Sequence, residues 1–423
     1  MHAVILGNGV TGVSAALRLR KLHPNWKITI VSGESKYHYS RPALMYIFMG
    51  HMRYEDTKPF EDSYWAEQRL TLVRAWVTKI DTDAKQLELH GQAPIKYDQL
   101  LIATGSKPNK FGWPGQDLSG VQGLWDLLDL KRLYETAERT RKAVIVGGGL
   151  IGIELAEMLH SRGIHVSFLV REKSYWNGIL PNEESDMINR EIRAHGIELL
   201  LNTELDEILD DGKGRCRGIK TKAGAEMECQ LVGLTAGVSP NIAVTAGSNI
   251  ETGRGILVNS QLQTSAKDVY AAGDCAEIRA EGEERNTIQQ VWYTGKMQGE
   301  FAARSMAGEK VGKYDAGIWF NSAKFLDLEY HTYGLVHRKV PGEQNLYWEH
   351  PNGKHALRIV HTDAGVIGLN TMGLRWRHEV CERWLRDQVS VEHVLDRLEE
   401  AYFEPELYKR HESEIRRALR VTV

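Results

Sequence analysis

The sequence predicts an α/β protein in which two doubly wound parallel-sheet domains are followed by a smaller α+β unit. Three observations carry this. A short apolar run, Ala3 to Leu6, turns at once into Gly7-x-Gly9-x-x-Gly12 and a helix-like segment; the pattern returns as Ala143 to Val146, Gly147-x-Gly149-x-x-Gly152 and Ile153 to Leu159; and from Tyr314 onward the chain reads as alternating strands and then helices. Two strand-to-helix glycine loops about 140 residues apart arise by chance far less readily than one.

The first loop predicts a Rossmann-like dinucleotide site. Gly7 permits the tight turn, Gly9 lets the backbone approach a pyrophosphate, and Gly12 lets helix and strand pack closely. Asn8, Val10 and Thr11 lie between them, where free N–H groups and the helix dipole face the phosphates. Lys27 to Val31 is the second strand, and Glu34 with Ser35 follows it; Glu34 is either an acceptor for ribose hydroxyls or a solvated loop acid. In Tyr37 to Leu44, Pro42 allows a helix to start and Arg41 is a cation near the expected phosphates. Residues 72 to 89 read as strands joined by the turn Asp81 to Ala84, with Val77 among the expected cofactor-lining residues. Gln99 to Thr104 is a buried strand whose end, Ala103, Thr104 and Gly105, can pass close to a ligand.

Gly- and Pro-rich Lys110 to Gly123 marks a crossing into the second domain. There Gly147, Gly149 and Gly152, with Leu150 and Ile151, form the second loop. His165 to Val170 ends in Arg171 and Glu172. Arg171 can meet a 2′-phosphate; alternatively it is exposed and Glu172 takes the ribose. Strands over 197 to 234, with a turn at Asp211 to Gly214, complete this domain, and Leu234 to Asn241, containing Gly237, crosses back. The stretch Thr264 to Glu277 then reads as a buried strand delivering Gly273 and Asp274 at its end, an acid placed for polyol hydroxyls and a phosphate, or simply a turn aspartate. The expected domains are 1–112 with 241–312, 113–240, 313–375, and a helical tail over 376–423.

Composition adds exclusions. An apolar content of 42%, a charged content of 26% and a net charge of −3 fit a globular chain and give no electrostatic case for nucleic acid or an anionic membrane. No apolar run approaches the roughly 20 residues of a spanning helix. A strand starting at His2 leaves no room for a signal peptide, so a cytoplasmic setting is expected. Cys216, Cys229, Cys275 and Cys381 are scattered, form no C-x-x-C, and predict neither a disulfide framework nor a metal site.

Taken in order, Gly7 to Gly12, Leu101 to Gly105, Gly147 to Glu154 and Tyr270 to Asp274 make the chain resemble the pyridine-nucleotide-dependent flavoprotein reductases over about residues 1 to 375. The resemblance implies FAD in the first loop, with Glu34 on its adenine ribose and Asp274 on its ribityl chain. It implies NAD(P)H in the second loop, its nicotinamide near Glu154, and Arg171 slightly favours NADPH. Residues 36 to 55 contain no cysteine, which excludes a thiol relay there. The remaining branch resembles the ferredoxin and rubredoxin reductases, including those paired with nitrite reductases, through Tyr39-x-Arg41-Pro42-x-Leu44. Its usual lysine opposite the glutamate is replaced by Tyr46. The helix near Gln290, Val291 and Trp292 resembles the segment whose N–H faces the flavin pyrimidine. The implied function is electron transfer from NAD(P)H to a protein carrier or partner subunit; reduction of oxygen, a quinone or another small acceptor, and a redox-responsive structural subunit, stay open, as does a homodimer.

In the C-terminal third, Trp319 to Phe325 stands where the resembling branch has an aromatic strand near the flavin, with Trp319 as shield or as core. Residues 345 to 372 predict a three-stranded meander with turns at Pro351 to Gly353 and Asp363 to Gly365. Ser390 is an expected N-cap for a helix carrying Val391, Val394, Leu395 and Leu398 on one face. Arginines 375, 377, 383, 386, 416, 417 and 420, among Trp376 and Trp384, form either a docking surface or a tail folded back on its own body.

Overall fold

In a computed structural model the described residues are 1–279, 287–337, 339–403 and 410–420. The chain runs through β1 (His2–Leu6), α1 (Val10–Leu22), β2 (Lys27–Ser32), α2 (Leu44–Phe48), β3 (Leu70–Arg74), β4 (Gln99–Ile102) and α3 (Leu127–Ala137). It continues through β5 (Lys142–Val146), α4 (Leu150–His160), β6 (His165–Leu169), α5 (Asn182–Ala194), β7 (Glu198–Leu200), β8 (Leu231–Leu234), β9 (Val269–Ala271) and α6 (Trp292–Met306). The last part holds β10 (Phe320–Phe325), β11 (Leu328–Gly334), β12 (Gln344–Glu349), β13 (Ala356–Thr362) and β14 (Gly365–Met372), then α7 (His378–Arg386), α8 (Val391–Asp396), α9 (Leu398–Ala401) and α10 (Glu412–Leu419). Two compact units result: Met1–Asn109, Gly123–Glu135 and Gly237–Ala316 in one, and Lys110–Gln122, Thr136–Ala236 and Gly317–Val423 in the other.

The first unit is built on a parallel sheet of order β9-β4-β1-β2-β3. β1 lies at its centre, with Ile5 opposite both Ile30 and Leu101, and its residues Ala3 to Ile5 are fully buried. Such a strand, covered on both faces, has to be apolar without alternation. Helix α1 puts Val13, Ala16 and Leu19 into this core and stops at His23, just before Pro24.

In the second unit the parallel order is β7-β6-β5-β8, with Val121–Gln122 at the far edge. Gly233 in β8 has Leu155 of α4 so close that a β-carbon would lie 2.6 Å from Cδ2, so the helix sits directly on the sheet. This unit also contains an antiparallel sheet, β10-β11-β14-β13-β12. The expected meander is its β12-β13-β14 part. Period-2 alternation splits β13: Leu357 and Ile359 join a core with Trp384, Leu395 and Ile415 of the C-terminal helices, while Arg358 meets Glu184 of α5 at 2.7 Å. Glu184 is fully buried and Arg358 nearly so. Glu183 adds a second acceptor at 2.8 Å.

The C-terminal helices therefore fold onto the sheet. Trp376 and Trp384 are buried in that core, and Arg375, Arg383, Arg386, Arg416 and Arg420 pair with Glu329, Glu400, Glu382, Glu399 and Asp396. This is the folded-back alternative for the tail; residues 404–409 and 421–423 of it lie outside the described residues. Ser390 caps α8 by accepting the His393 N–H at 3.2 Å. Among the described residues no helix is long and apolar enough to cross a membrane.

Candidate functional site

Two glycine cradles, one in each unit, are the candidate sites. At the end of β1, Gly7 has φ +116°, and a β-carbon there would lie 2.1 Å from the Ala103 carbonyl oxygen. One at Gly12 would lie 2.0 Å from the Gly7 carbonyl oxygen. Both positions exclude any side chain. Gly9 is different: its backbone is extended, it caps α1, and nothing lies within 4 Å of its missing side chain. The first-turn N–H groups of Val10, Thr11 and Gly12 have no acceptor within the helix, so the open space at Gly9 is one in which an anion can reach a helix N-terminus.

Asn8 fixes this loop. Its Nδ2 donates to the Ser35 carbonyl at 2.9 Å and to the Ser35 hydroxyl at 3.1 Å. Beside it, Glu34 accepts from the Tyr39 hydroxyl, from Arg41 at 2.7 Å and from the Leu127 N–H at 3.3 Å. Arg41 also donates to the Trp125 carbonyl, and Pro42 begins the short helical turn Arg41–Ala43. The Arg41 charge is thus met by Glu34, while a carboxylate with about four lone-pair positions keeps acceptor capacity for a further hydroxyl.

Asp274 reaches the same cradle through α6. Gly295 and Gly299 of that helix and Gly273 after β9 all abut Thr11: β-carbons there would lie 2.9 Å from its Oγ1, 2.2 Å from its carbonyl oxygen and 2.4 Å from its Oγ1. Buried Gln298 accepts the Gly273 N–H at 2.7 Å. The Asp274 carboxylate accepts from the Ser106 hydroxyl at 2.9 Å, and that hydroxyl accepts from Gln290 Nε2 at 2.8 Å. Burial raises the Asp274 pKa, against the opposing pull of Ser106 and Arg41. Val291 caps α6 in extended conformation, with Trp292 as its 45% exposed first residue. A surface cleft borders Val10, His38 and Trp292.

The other expected residues of this unit take supporting places. Ala103 donates to the Leu6 carbonyl at 2.8 Å, the Thr104 hydroxyl donates to the Asn241 carbonyl at 2.6 Å, and Gly105 (φ +67°) accepts the Asn241 N–H at 2.8 Å. The Gly237 carbonyl accepts the Asn109 N–H at 3.1 Å. Val77 opens the strand Val77–Asp81 of a small antiparallel sheet. Tyr46 is partly exposed on α2, with its ring 6.3 Å from that of His51.

In the second unit Gly147 has φ +122°, and its β-carbon would lie 2.6 Å from the Thr235 carbonyl oxygen. Gly152 would meet Thr235 Oγ1 at 2.9 Å and the Gly147 carbonyl oxygen at 3.0 Å. Gly149 caps α4, which opens with Leu150 and Ile151. Two aromatics that sequence reasoning missed complete this cradle. The Tyr175 hydroxyl donates to the Gly149 carbonyl at 2.8 Å, and Trp176, at φ +60°, places its ring 3.4 Å from a β-carbon at Gly149. A tryptophan held in the left-handed region marks a loop whose conformation is imposed by its surroundings. The only signal in the sequence was its position, a few residues beyond β6.

Glu154, one turn into α4, has its pKa pushed up to about 7 by burial and then by Glu157. Arg171 is 74% exposed and pairs with Glu172 at 2.8 Å. Trp319 is partly exposed, and its carbonyl accepts the Gly334 N–H at 2.7 Å. The four cysteines are buried and free.

The family model described as pyridine nucleotide-disulphide oxidoreductase matches residues 1–299. The chain is 31% identical over 368 residues to the assimilatory nitrate reductase electron transfer subunit of Bacillus subtilis (strain 168), covering 86% of this chain and 47% of that protein. It thus spans about half the length of that relative. To the rubredoxin-NAD(+) reductase of Acinetobacter baylyi it is 28% identical over 287 residues, covering 66% and 73%. A solved ferredoxin reductase from Rhodopseudomonas palustris shares the fold, with a TM-score of 0.81 at 21% identity and 99% of each chain covered. With the model matching well over half of its length, the chain belongs to the pyridine nucleotide-disulphide oxidoreductase family.

Proposed function

We propose that this chain is an FAD-dependent NAD(P)H oxidoreductase that passes electrons to a protein carrier or a partner subunit. The observation that carries the reading is the pair of glycine cradles combined with a cysteine-free segment from Lys36 to Glu55, which leaves no thiol in that segment to receive electrons. The relative from Bacillus subtilis is named as an electron transfer subunit, which supports the same reading.

In this proposal Gly7, Asn8, Gly9, Val10, Thr11 and Gly12 hold the FAD pyrophosphate, Glu34 and Ser35 the adenine ribose, and Asp274 the ribityl hydroxyls. The α6 N-terminus at Val291 and Trp292 supplies N–H groups to the flavin's pyrimidine end. Gly147, Gly149, Leu150, Ile151 and Gly152 hold NAD(P)H, and Arg171 tilts the choice toward NADPH. When bound, the flavin supplies hydride acceptance and release of electrons singly. Glu154 holds a proton near neutral pH at its carboxyl; Tyr46, in the first unit, and Trp319, in the second, are the other side chains proposed to act.

Rapid mixing of the flavin-loaded protein with NADH and with NADPH tests this. The expected result is fast bleaching of the flavin band, with prompt recovery only after a ferredoxin- or rubredoxin-type carrier is added. Prompt recovery in air alone would point to a small-acceptor reductase. A colourless protein that cannot be reconstituted with FAD would overturn the reading.

A further inference from the structure

We propose that His350, His411 and Glu414 form a zinc-class divalent metal site that fastens α10 to the β12–β13 hairpin. The three residues come from two places in the chain. His350 follows β12 and is held by the hairpin turn, where its N–H donates to the His355 carbonyl at 2.8 Å and its carbonyl accepts the Gly353 N–H at 2.9 Å. His411 and Glu414 flank the start of α10, an i, i+3 pair on one face, and the His411 carbonyl accepts the N–H groups of Glu414 and Ile415 at 3.1 and 2.9 Å.

Glu414 Oε2 lies 3.4 Å from His350 Nε2 and 3.4 Å from His411 Nδ1, and the ligand atoms of the three residues all fall within 4.8 Å of one another. Bonds of about 2.0–2.2 Å in a tetrahedron space the ligand atoms by about 3.3–3.6 Å. Two of the three edges therefore already have the length that the ion requires. Two imidazoles and one carboxylate suit a first-row divalent ion of borderline softness, with water as the fourth ligand. Glu414, 40% exposed, leaves the ion a path from solvent.

The surroundings are those of a fixed site. His411 is 1% exposed, its ring 5.7 Å from that of Trp348, and its Nε2 has no hydrogen-bond partner among the described residues. The His350 and His355 rings also flank it, with centroids 4.8 and 4.7 Å away. In the absence of an ion the carboxylate is hydrogen-bonded to His411 Nδ1 at 3.4 Å and lies 3.4 Å from His350 Nε2, and His350 Nδ1 accepts the Asn352 N–H at 3.1 Å. Coordination through Nε2 moves the His350 proton to Nδ1 and releases that one contact. The cluster can thus stand without metal and bind it at the expense of one turn hydrogen bond. The sequence hid it because the reading rested on cysteine spacing, and 61 residues separate His350 from His411.

The test uses the untagged full chain, stripped with a chelator and titrated with zinc chloride in competition with a chromophoric chelator, with thermal melting alongside. One tight equivalent per chain and a raised melting temperature are expected. Glu414→Gln and His350→Gln, neither at a fully buried position, should each weaken zinc at least tenfold and abolish the melting shift. Asp327→Asn, in a second acid–histidine cluster with Glu191 and His195, should keep both. His411→Ala removes a buried ring and is read only beside those variants. Zinc binding by Glu414→Gln and His350→Gln equal to the parent's, or none by the parent, would overturn the site.

Discussion

Four positions separate binding from folding. Gly12 has no room for a β-carbon, whereas Gly9 faces open space with an ordinary φ of −68°. Gly12→Ala is expected to destabilise the protein by about 2–4 kcal/mol through overpacking against the backbone. Gly9→Ala should leave the melting temperature of the flavin-free chain unchanged and weaken FAD retention, which flavin fluorescence after dilution measures. Glu154 sets a pH dependence. Its folded pKa of about 7 is above the ordinary 4.5, so the fold favours the protonated form. Its contribution is complete below about pH 4.5 and is lost as pH rises through about 7. Glu154→Gln should therefore match the parent in acid and exceed it by about 2–3 kcal/mol at pH 8, as followed by melting across that range. Replacing Arg171 should weaken NADPH use by about 1–3 kcal/mol if it pairs with the phosphate. Equal effects on kcat/KM for NADH and NADPH would remove that assignment. The glycines were legible because their spacing between strand and helix is a pattern of a few residues; Tyr175 and Trp176 were not, since their hold on Gly149 is made only once the loop after β6 has folded back.

Among the elements, α5 and β13 hold the antiparallel sheet of the second unit to its nucleotide-type layer. The pair Glu184–Arg358 is buried, and removing Arg358 leaves the Glu184 charge without its cation. Arg358→Ala should cost about 3–5 kcal/mol in denaturant unfolding, and the double change Glu184→Leu with Arg358→Met much less. The sequence showed the meander, the Ser390 cap and the apolar face of α8, all signals contained within a few residues. It could not show the partner of Arg358, because the pair is 174 positions apart. For the same reason the basic tail allowed two readings until Arg416 met Glu399 and Arg383 met Glu400 across helices.

At the scale of the molecule, the repeated strand–glycine loop–helix pattern disclosed two parallel sheets, because each copy carries its own periodicity and turn chemistry. The assignment of β10 to β14 and the C-terminal helices to the unit of the second cradle is a property of tertiary contacts and was not written in any one segment. The metal site lies in that same unit. Zinc added to the metal-free chain should slow amide exchange in α10 and the β12–β13 hairpin while leaving exchange by local opening in β1 and α1 unchanged, since binding protects an amide only against openings that break the site.

Thr11 has a consequence for how relatives of this chain can vary. Its hydroxyl abuts Gly273 and Gly295, whereas its carbonyl abuts Gly299, so a smaller residue at position 11 makes room at the first two and none at the third. An alignment of family members ought to show position 295 varying with position 11, while Gly299, set against backbone, and Gly273, at φ +77°, stay fixed.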